Sequence, residues 1–258
     1  MADRFIWYEL MTSDLEAALR FYGAVVGWSA ADHENSQPGG MRYVILSAGG
    51  RGVGGAMQLT KGMLDGGARP GWVGYIGVDD ADAKAKEVEA AGGRILMGPA
   101  DIPNVGRFAM AADPGGAPFY LLTPTPRADA PPPTPGEAGT VGWHELYAGD
   151  GEKAAFAFYQ RLFGWETLDE MDMGPMGSYR LFGAGGDRVG GMMDKPRDLA
   201  ASAWGFYFNV DGVDAAAARI GEAGGEVTMA PHQVPDGSWI VQAADPQGAS
   251  FALVSRTR

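Results

Sequence analysis

Two glutamates stand in matching surroundings. Glu9 lies in Phe5-Ile-Trp-Tyr-Glu-Leu10 and Glu145 in Val141-Gly-Trp-His-Glu-Leu146, each two residues after a tryptophan in a run rich in aromatic side chains. Such runs form strands, and strand residues two apart share a face, so Trp7 flanks Glu9 and Trp143 flanks Glu145. A carboxylate among rings loses hydration, which disfavours its charged form and suits it to work as a general acid or base. The same residue can instead accept hydrogen bonds from backbone or tyrosine donors and tie a sheet together. Glu9 and Glu145 are therefore the catalytic candidates, while the tying role is the favoured reading of both. Trp7, Tyr75 and Tyr120, with Trp143 and Tyr207 in the second half, are strand aromatics that would line a ligand site. Ring walls with a few polar tips suit a flat organic molecule. Phe21, Tyr22, Phe158 and Tyr159 fall in helical runs and read as core.

Other residue types offer less. Arg42, Arg107 and Arg180 lie on strands, where a guanidinium could hold a carboxylate or phosphate. The chain has three histidines and no cysteine. His33 and His232 lie in polar stretches, and His144 and Glu145 are strand neighbours that point to opposite faces, so the two cannot share an ion without a bulge. Gly49-Gly-Arg-Gly-Val-Gly-Gly55 lacks the spacing of a phosphate loop and has no helix after it. Asp79-Asp80-Ala-Asp82 sits at a helix start, where capping explains it better than calcium.

Composition narrows the partners. Lys+Arg 20 against Asp+Glu 32 gives a net charge of −12, which repels phosphate backbones and anionic lipid, so neither nucleic acid nor membrane is an expected partner. Without cysteine there is neither a disulfide framework nor thiolate chemistry. No apolar run approaches the roughly 20 residues that span a bilayer, and Met1-Ala-Asp-Arg leads straight into a strand without the apolar region of a signal peptide. The expectation is a cytoplasmic protein.

The elements that must position these residues follow in a fixed order. After the first strand, Ser13-Asp-Leu-Glu16 has capping-box spacing, and Leu15, Ala18, Leu19 and Tyr22 recur at helical intervals until Gly27. Strands are predicted over 42–47 and 53–59. Trp72–Val78 opens a second strand–helix unit whose helix, capped by Asp79 or Asp80, ends at Gly92-Gly93. Further strands fall near Ile95, Phe108 and Phe119, with a tight turn at Asp113-Pro-Gly-Gly116. The proline-rich stretch that follows, 123–136, cannot continue a helix or a central strand. Beyond it the order returns. Glu145, Tyr179 and Val189-Gly-Gly lie 136 positions after Glu9, Tyr43 and Val53-Gly-Gly; Trp204, Gly224-Gly225 and Asp245-Pro lie 132 after Trp72, Gly92-Gly93 and Asp113-Pro. So regular an offset marks a tandem duplication, with domains at 1–124 and 139–258 and a linker at 125–138.

The pattern Asp-Leu-x-Ala-Ala-x-x-Phe-Tyr-x-x-Val-x-Gly-Trp, the later Trp-x-x-Tyr-x-x-Val-Asp strand, the Gly-Gly helix end and the Asp-Pro-x-Gly hairpin resemble the vicinal oxygen chelate superfamily, also called the glyoxalase/bleomycin resistance/dioxygenase superfamily. The resemblance implies an α+β fold, with each domain made of paired βαβββ modules forming a concave mixed sheet. It implies a small organic ligand in one or both cups and leaves two functions open. One is metal-free binding, as in drug-resistance members. The other is a lyase or isomerase of the glyoxalase type using a cup glutamate as proton acceptor, possible with or without a metal. The superfamily's metal-ligand positions fall on Trp7, Val73 and Tyr120, and on Trp143, Gly205 and Ala252, none of which suits a catalytic metal. No metal ligand and no cofactor is expected. Four modules in one chain can complete both cups internally, so a monomer is expected, with a homodimer as the alternative.

Overall fold

The computed structural model describes residues 3–34, 41–126, 134–197 and 199–258. The first repeat runs β1 (Phe5–Thr12), α1 (Leu15–Val26), β2 (Ser29–Asp32), β3 (Tyr43–Ala48), β4 (Arg51–Gln58), α2 (Lys61–Asp65), β5 (Gly71–Gly77), α3 (Ala81–Ala90), β6 (Arg94–Ile102), β7 (Gly106–Ala112) and β8 (Pro118–Pro124). The second runs β9 (Val141–Ala148), α4 (Glu152–Phe163), β10 (Glu166–Asp172), β11 (Ser178–Ala184), β12 (Asp187–Asp194), β13 (Ala203–Asn209), α5 (Val213–Glu222), β14 (Glu226–Gln233), β15 (Trp239–Ala244) and β16 (Ser250–Ser255). These form two eight-stranded mixed sheets in the orders β2-β3-β4-β1-β5-β8-β7-β6 and β10-β11-β12-β9-β13-β16-β15-β14. The fold is α+β, two tandem domains with a mixed sheet each, as the superfamily resemblance implies. Half of the expected linker, 127–133, lies outside the described residues.

Local chemistry sets the elements. Asp14, not Ser13, caps α1: its carboxylate accepts from Ala17 N at 3.0 Å, and Gly27 closes the helix in the left-handed region at φ 87°. The cap thus lies one residue later than the capping-box spacing predicts. Asp80 caps α3 in the same way, through Ala83 N at 3.0 Å. The first residue of α4 is held differently, because Gly151 has no side chain; Asp194 Oδ1 accepts from Glu152 N at 2.8 Å.

Packing divides the chain into two compact units, each drawing on both repeats. One comprises Met1–Ile6, Val73–Ala130 and His144–Gly205; the other comprises Trp7–Trp72, Pro131–Trp143 and Phe206–Arg258. In the first unit α3 packs on α4, and Lys84 Nζ donates to Leu162 O at the C-terminal end of α4 at 2.6 Å. In the second unit α5 packs on α1, and the Arg219 guanidinium donates to Val25 O at 2.9 and 3.3 Å. A cation on the last carbonyls of a helix satisfies groups that have no intrahelical partner.

A buried Trp–Tyr–Asp relay anchors each unit. In the first, Trp204 Nε1 donates to Tyr159 OH at 2.9 Å, and Tyr159 OH donates to Asp113 Oδ2 at 3.1 Å. In the second, Trp72 Nε1 donates to Tyr22 OH at 2.9 Å and Tyr22 OH to Asp245 Oδ2 at 3.2 Å. Each aspartate opens the Asp-Pro turn of one repeat, and each tyrosine sits on a helix of the other. The turn itself is closed by the aspartate's other oxygen, which accepts from Ala117 N at 2.8 Å or Ala249 N at 2.9 Å. Burial pushes the Asp113 carboxyl up to about 6 against the hydrogen bonds that lower it, and raises Asp245 likewise. Rings fill the space around the relays. Tyr159 stacks on Trp165 at 5.1 Å and Tyr22 on Trp28 at 5.7 Å, so the helix aromatics are core, as their spacing indicates.

Candidate functional site

The glutamates occupy the sheet faces away from these helices. Glu145 is 7% exposed on β9. Its Oε1 accepts from Tyr179 OH at 2.8 Å and its Oε2 from Tyr147 OH at 2.5 Å. His144, its neighbour, points the other way. It stacks on Phe5 at 4.6 Å, and its Nδ1 meets Val189 O at 2.7 Å, which makes that nitrogen the protonated one. Burial pulls the His144 imidazole down to about 4. Glu145 and His144 thus cannot converge on one ion.

A double glycine makes the reach of Tyr179 possible. Gly191 pairs with Glu145 across β12 and β9, and a Cβ there would lie 2.2 Å from Tyr179 Cζ. Without a side chain at 191 the phenol lies across the strand and meets the carboxylate. Gly190 serves the opposite face, where a Cβ would lie 2.4 Å from His144 O. Gly54 and Gly55 do the same in the first repeat, against Tyr8 O at 2.8 Å and Tyr43 OH at 2.0 Å. Glu9, 3% exposed, pairs with Gly55, and Trp7 Nε1 donates to Tyr43 OH at 2.9 Å. The repeated Val-Gly-Gly was visible in the sequence as a repeat, and Tyr43 and Tyr179 as equivalents, but not as one device.

The remaining candidates fall on the same kind of face. Tyr75 and Tyr120 pair across β5 and β8 and stack at 4.2 Å and 13°. Phe119, the neighbour of Tyr120, turns instead to the rings of α4. Tyr207 pairs with Ala252, and Gln242 Nε2 donates to Tyr207 OH at 2.9 Å. Trp143 is half-buried on β9. Sequence reasoning missed Tyr147 and Gln242; their only signal was that methionine occupies the equivalent positions of the first repeat.

The arginines do not form an anion site. Arg180 is buried and bonded to Glu152 at 2.8 Å, Glu170 at 2.5 Å and Thr167 at 3.0 Å. Arg42 pairs with Glu16 and Asp32, and Arg107 with Asp82 and Asp101. Only Arg180 is paired inside the fold; Arg42 and Arg107 hold their acidic partners at the surface. A metal centre of the superfamily type does not fit the residues present either. The positions that the resemblance implies for its ligands carry Trp7, Val73, Tyr120, Trp143, Gly205 and Ala252. Tyr120 is stacked on Tyr75, and among the described residues no three His, Cys, Asp or Glu side chains gather to hold an ion.

The family model described as "Glyoxalase/Bleomycin resistance protein/Dioxygenase superfamily" matches residues 4–121 and again 140–253. The chain belongs to that superfamily. "Putative glyoxylase CFP32" of Mycobacterium tuberculosis (strain CDC 1551 / Oshkosh) is 34% identical over 248 residues, 96% of this chain and 93% of that protein. "Anthracycline biosynthesis protein DnrV" of Streptomyces peucetius is 33% identical over 263 residues, 96% and 91% of the two chains. The Mn(II)-bound glyoxalase from Novosphingobium aromaticivorans superposes with a TM-score of 0.65 at 16% identity, covering 100% of this chain and 82% of that one. The 2,2',3-trihydroxybiphenyl 1,2-dioxygenase from Sphingomonas wittichii strain RW1 gives 0.70 at 15%, covering 99% and 91%. At that identity the two structures share the superfamily fold with this chain. Among the described residues no helix is long and apolar enough to cross a membrane.

Proposed function

We propose that this superfamily member binds a small planar organic molecule against the helix-free faces of its sheets, without a metal centre of the superfamily type. One observation carries the reading. Where the superfamily's metal ligands belong, this chain has Trp7, Val73, Tyr120, Trp143, Gly205 and Ala252, and the acid nearest them in the second repeat is held by two phenols. Trp7, Tyr75 and Tyr120 in the first repeat, and Trp143 and Tyr207 in the second, supply ring surface, with Glu9 and Glu145 as polar anchors. A relative named for anthracycline biosynthesis supports a fused-ring ligand. On this reading the protein works in the cytoplasm as a monomer or homodimer, with neither nucleic acid nor membrane as partner.

Protein purified without chelator will carry far less than one equivalent of transition metal per repeat, and fused-ring compounds will raise its melting temperature, since a ligand of the native state stabilises it. One tightly held transition metal per repeat, measured by elemental analysis, overturns the metal-free reading.

A second reading is supported by the burial of both glutamates in aromatic strands and by the relative named as a glyoxylase. Here Glu9 or Glu145 accepts a proton in a glyoxalase- or isomerase-type reaction. Wild type, Glu9→Gln and Glu145→Gln are to be compared on the glutathione hemithioacetal of methylglyoxal, with and without divalent metal. Wild-type turnover that collapses in one variant establishes this role; turnover untouched by both removes these residues from it.

A further inference from the structure

Glu145, Tyr147, Tyr179, Gly191 and Gly205 lie in one compact unit, within its segment His144–Gly205. In the sheet β9 runs between β12 and β13, and glycine stands beside Glu145 on both neighbours. Gly191 pairs with Glu145 from β12 and makes room for the Tyr179 ring. Gly205 on β13 has no such duty. A Cβ there would meet Tyr147 Cε2 at 3.6 Å, Glu145 O at 3.7 Å and Glu145 Cβ at 4.0 Å, all ordinary contacts, and its φ is outside the left-handed region. Neither sterics nor backbone conformation calls for glycine at 205. Its missing side chain leaves room beside Glu145 and the Tyr147 ring. The first repeat carries Val73 at the equivalent position, and Met11 where the second carries Tyr147.

The chemistry beside that room is one-sided. Tyr147 and Tyr179 have one hydroxyl hydrogen each, and both donate it to Glu145, at 2.5 and 2.8 Å. An ionised carboxylate only accepts, so any further hydrogen bond to these three groups is donated by the other party. Tyr147, Tyr179 and Gly205 are half-buried, so the cluster is reached from solvent.

We infer that this cluster takes a protonated amine: an ammonium group on the planar ligand enters beside Gly205, donates to Glu145 and the phenol oxygens, and lies against the Tyr147 ring. The inference rests on the binding function proposed above and adds the charge of the ligand to it. An ammonium brings three donors and a positive charge, which suit a carboxylate and the negative face of an aromatic ring. A hydroxyl brings one donor and no charge. The net charge of −12 works in the same direction, since it draws cations towards the chain and repels anionic ligands.

The test uses the full chain and two probes that share one ring system, 2-(aminomethyl)anthraquinone, which is protonated at pH 7, and 2-(hydroxymethyl)anthraquinone, titrated by quenching of tryptophan fluorescence. Wild type is expected to bind the amine about tenfold more tightly, the scale of one hydrogen bond to a charged group. That preference should shrink as potassium chloride is added. Glu145→Gln should remove most of it. Tyr147→Phe, which keeps the ring, and Gly205→Ala, which fills the room with a methyl group, should each reduce it about threefold. A melting curve verifies that each variant folds. Because the added methyl group at 205 makes only ordinary contacts, Gly205→Ala provides a reading even where Glu145→Gln does not fold. Equal wild-type affinity for the two probes, or a preference that persists in every folded variant, overturns the inference while leaving the binding function standing. Binding of neither probe overturns the binding function itself.

Discussion

Asp113 and His144 carry opposite protonation linkages within one compact unit. The Asp113 carboxyl is raised from its ordinary 3.8 to about 6, first by burial and further by Asp150 nearby, so the stability it contributes is full below about 3.8 and lost as pH rises through 6. His144 is lowered from 6.5 to about 4 by burial, so its contribution is full above 6.5 and lost as pH falls towards 4. Each shift corresponds to on the order of 3 kcal/mol, and between pH 4 and 6.5 the two offset one another. The cost of Asp113→Asn in urea unfolding should therefore be largest at pH 4 and shrink towards pH 7, while that of His144→Phe should be largest at pH 7 and shrink towards pH 4. Costs independent of pH for both variants would remove this account. At this scale the sequence indicated that Glu145 lies in an aromatic strand and that His144 faces away from it. It did not indicate the phenols of Tyr147 and Tyr179, because Tyr179 meets Glu145 only through a register that long-range pairing sets.

Within the strands, the paired glycines separate two kinds of crowding. At Gly190 an added Cβ meets the backbone oxygen of His144 at 2.4 Å, which cannot yield without moving β9. At Gly191 it meets the ring of Tyr179, which can swing out into solvent. Gly190→Ala should cost about 3 kcal/mol as an overpacked site, and Gly191→Ala about 1 kcal/mol. Only Gly191→Ala should break the Tyr179–Glu145 bond while leaving a well-folded protein, measurable as weaker probe binding at an almost unchanged urea midpoint. A larger loss of stability at 191 than at 190 would contradict this. Central strands were legible because their aromatic and β-branched residues alternate. The edge strands β2 and β10 were not, since Ser29–Asp32 and Glu166–Asp172 are polar, largely exposed runs without an apolar face. The short helix α2 was also unread; its five residues include no buried side chain to set a period.

For the whole molecule, the sequence repeat and the unit of packing are different things. The duplication is legible as a nearly constant offset, but Tyr159 lies 46 positions from Asp113 and Tyr22 lies 223 positions from Asp245, and no local pattern announces either bond. Because each compact unit takes residues from both repeats, a chain divided between 126 and 134 should not fall apart. Co-expressed as separate polypeptides, residues 1–126 and 134–258 should co-elute as one species, whereas two independently folded monomers would refute this. Buried tryptophan pairs give each unit its own light source. Trp165 and Trp204 lie 5.8 Å apart in one unit, Trp28 and Trp72 lie 5.6 Å apart in the other, and all four are buried. Trp7, Trp143 and Trp239 are half-buried and should emit further to the red. Replacing Trp28 and Trp72 with Phe leaves the blue emission to Trp165 and Trp204, so the melting of one unit can be followed at the blue edge while the other emits only to the red.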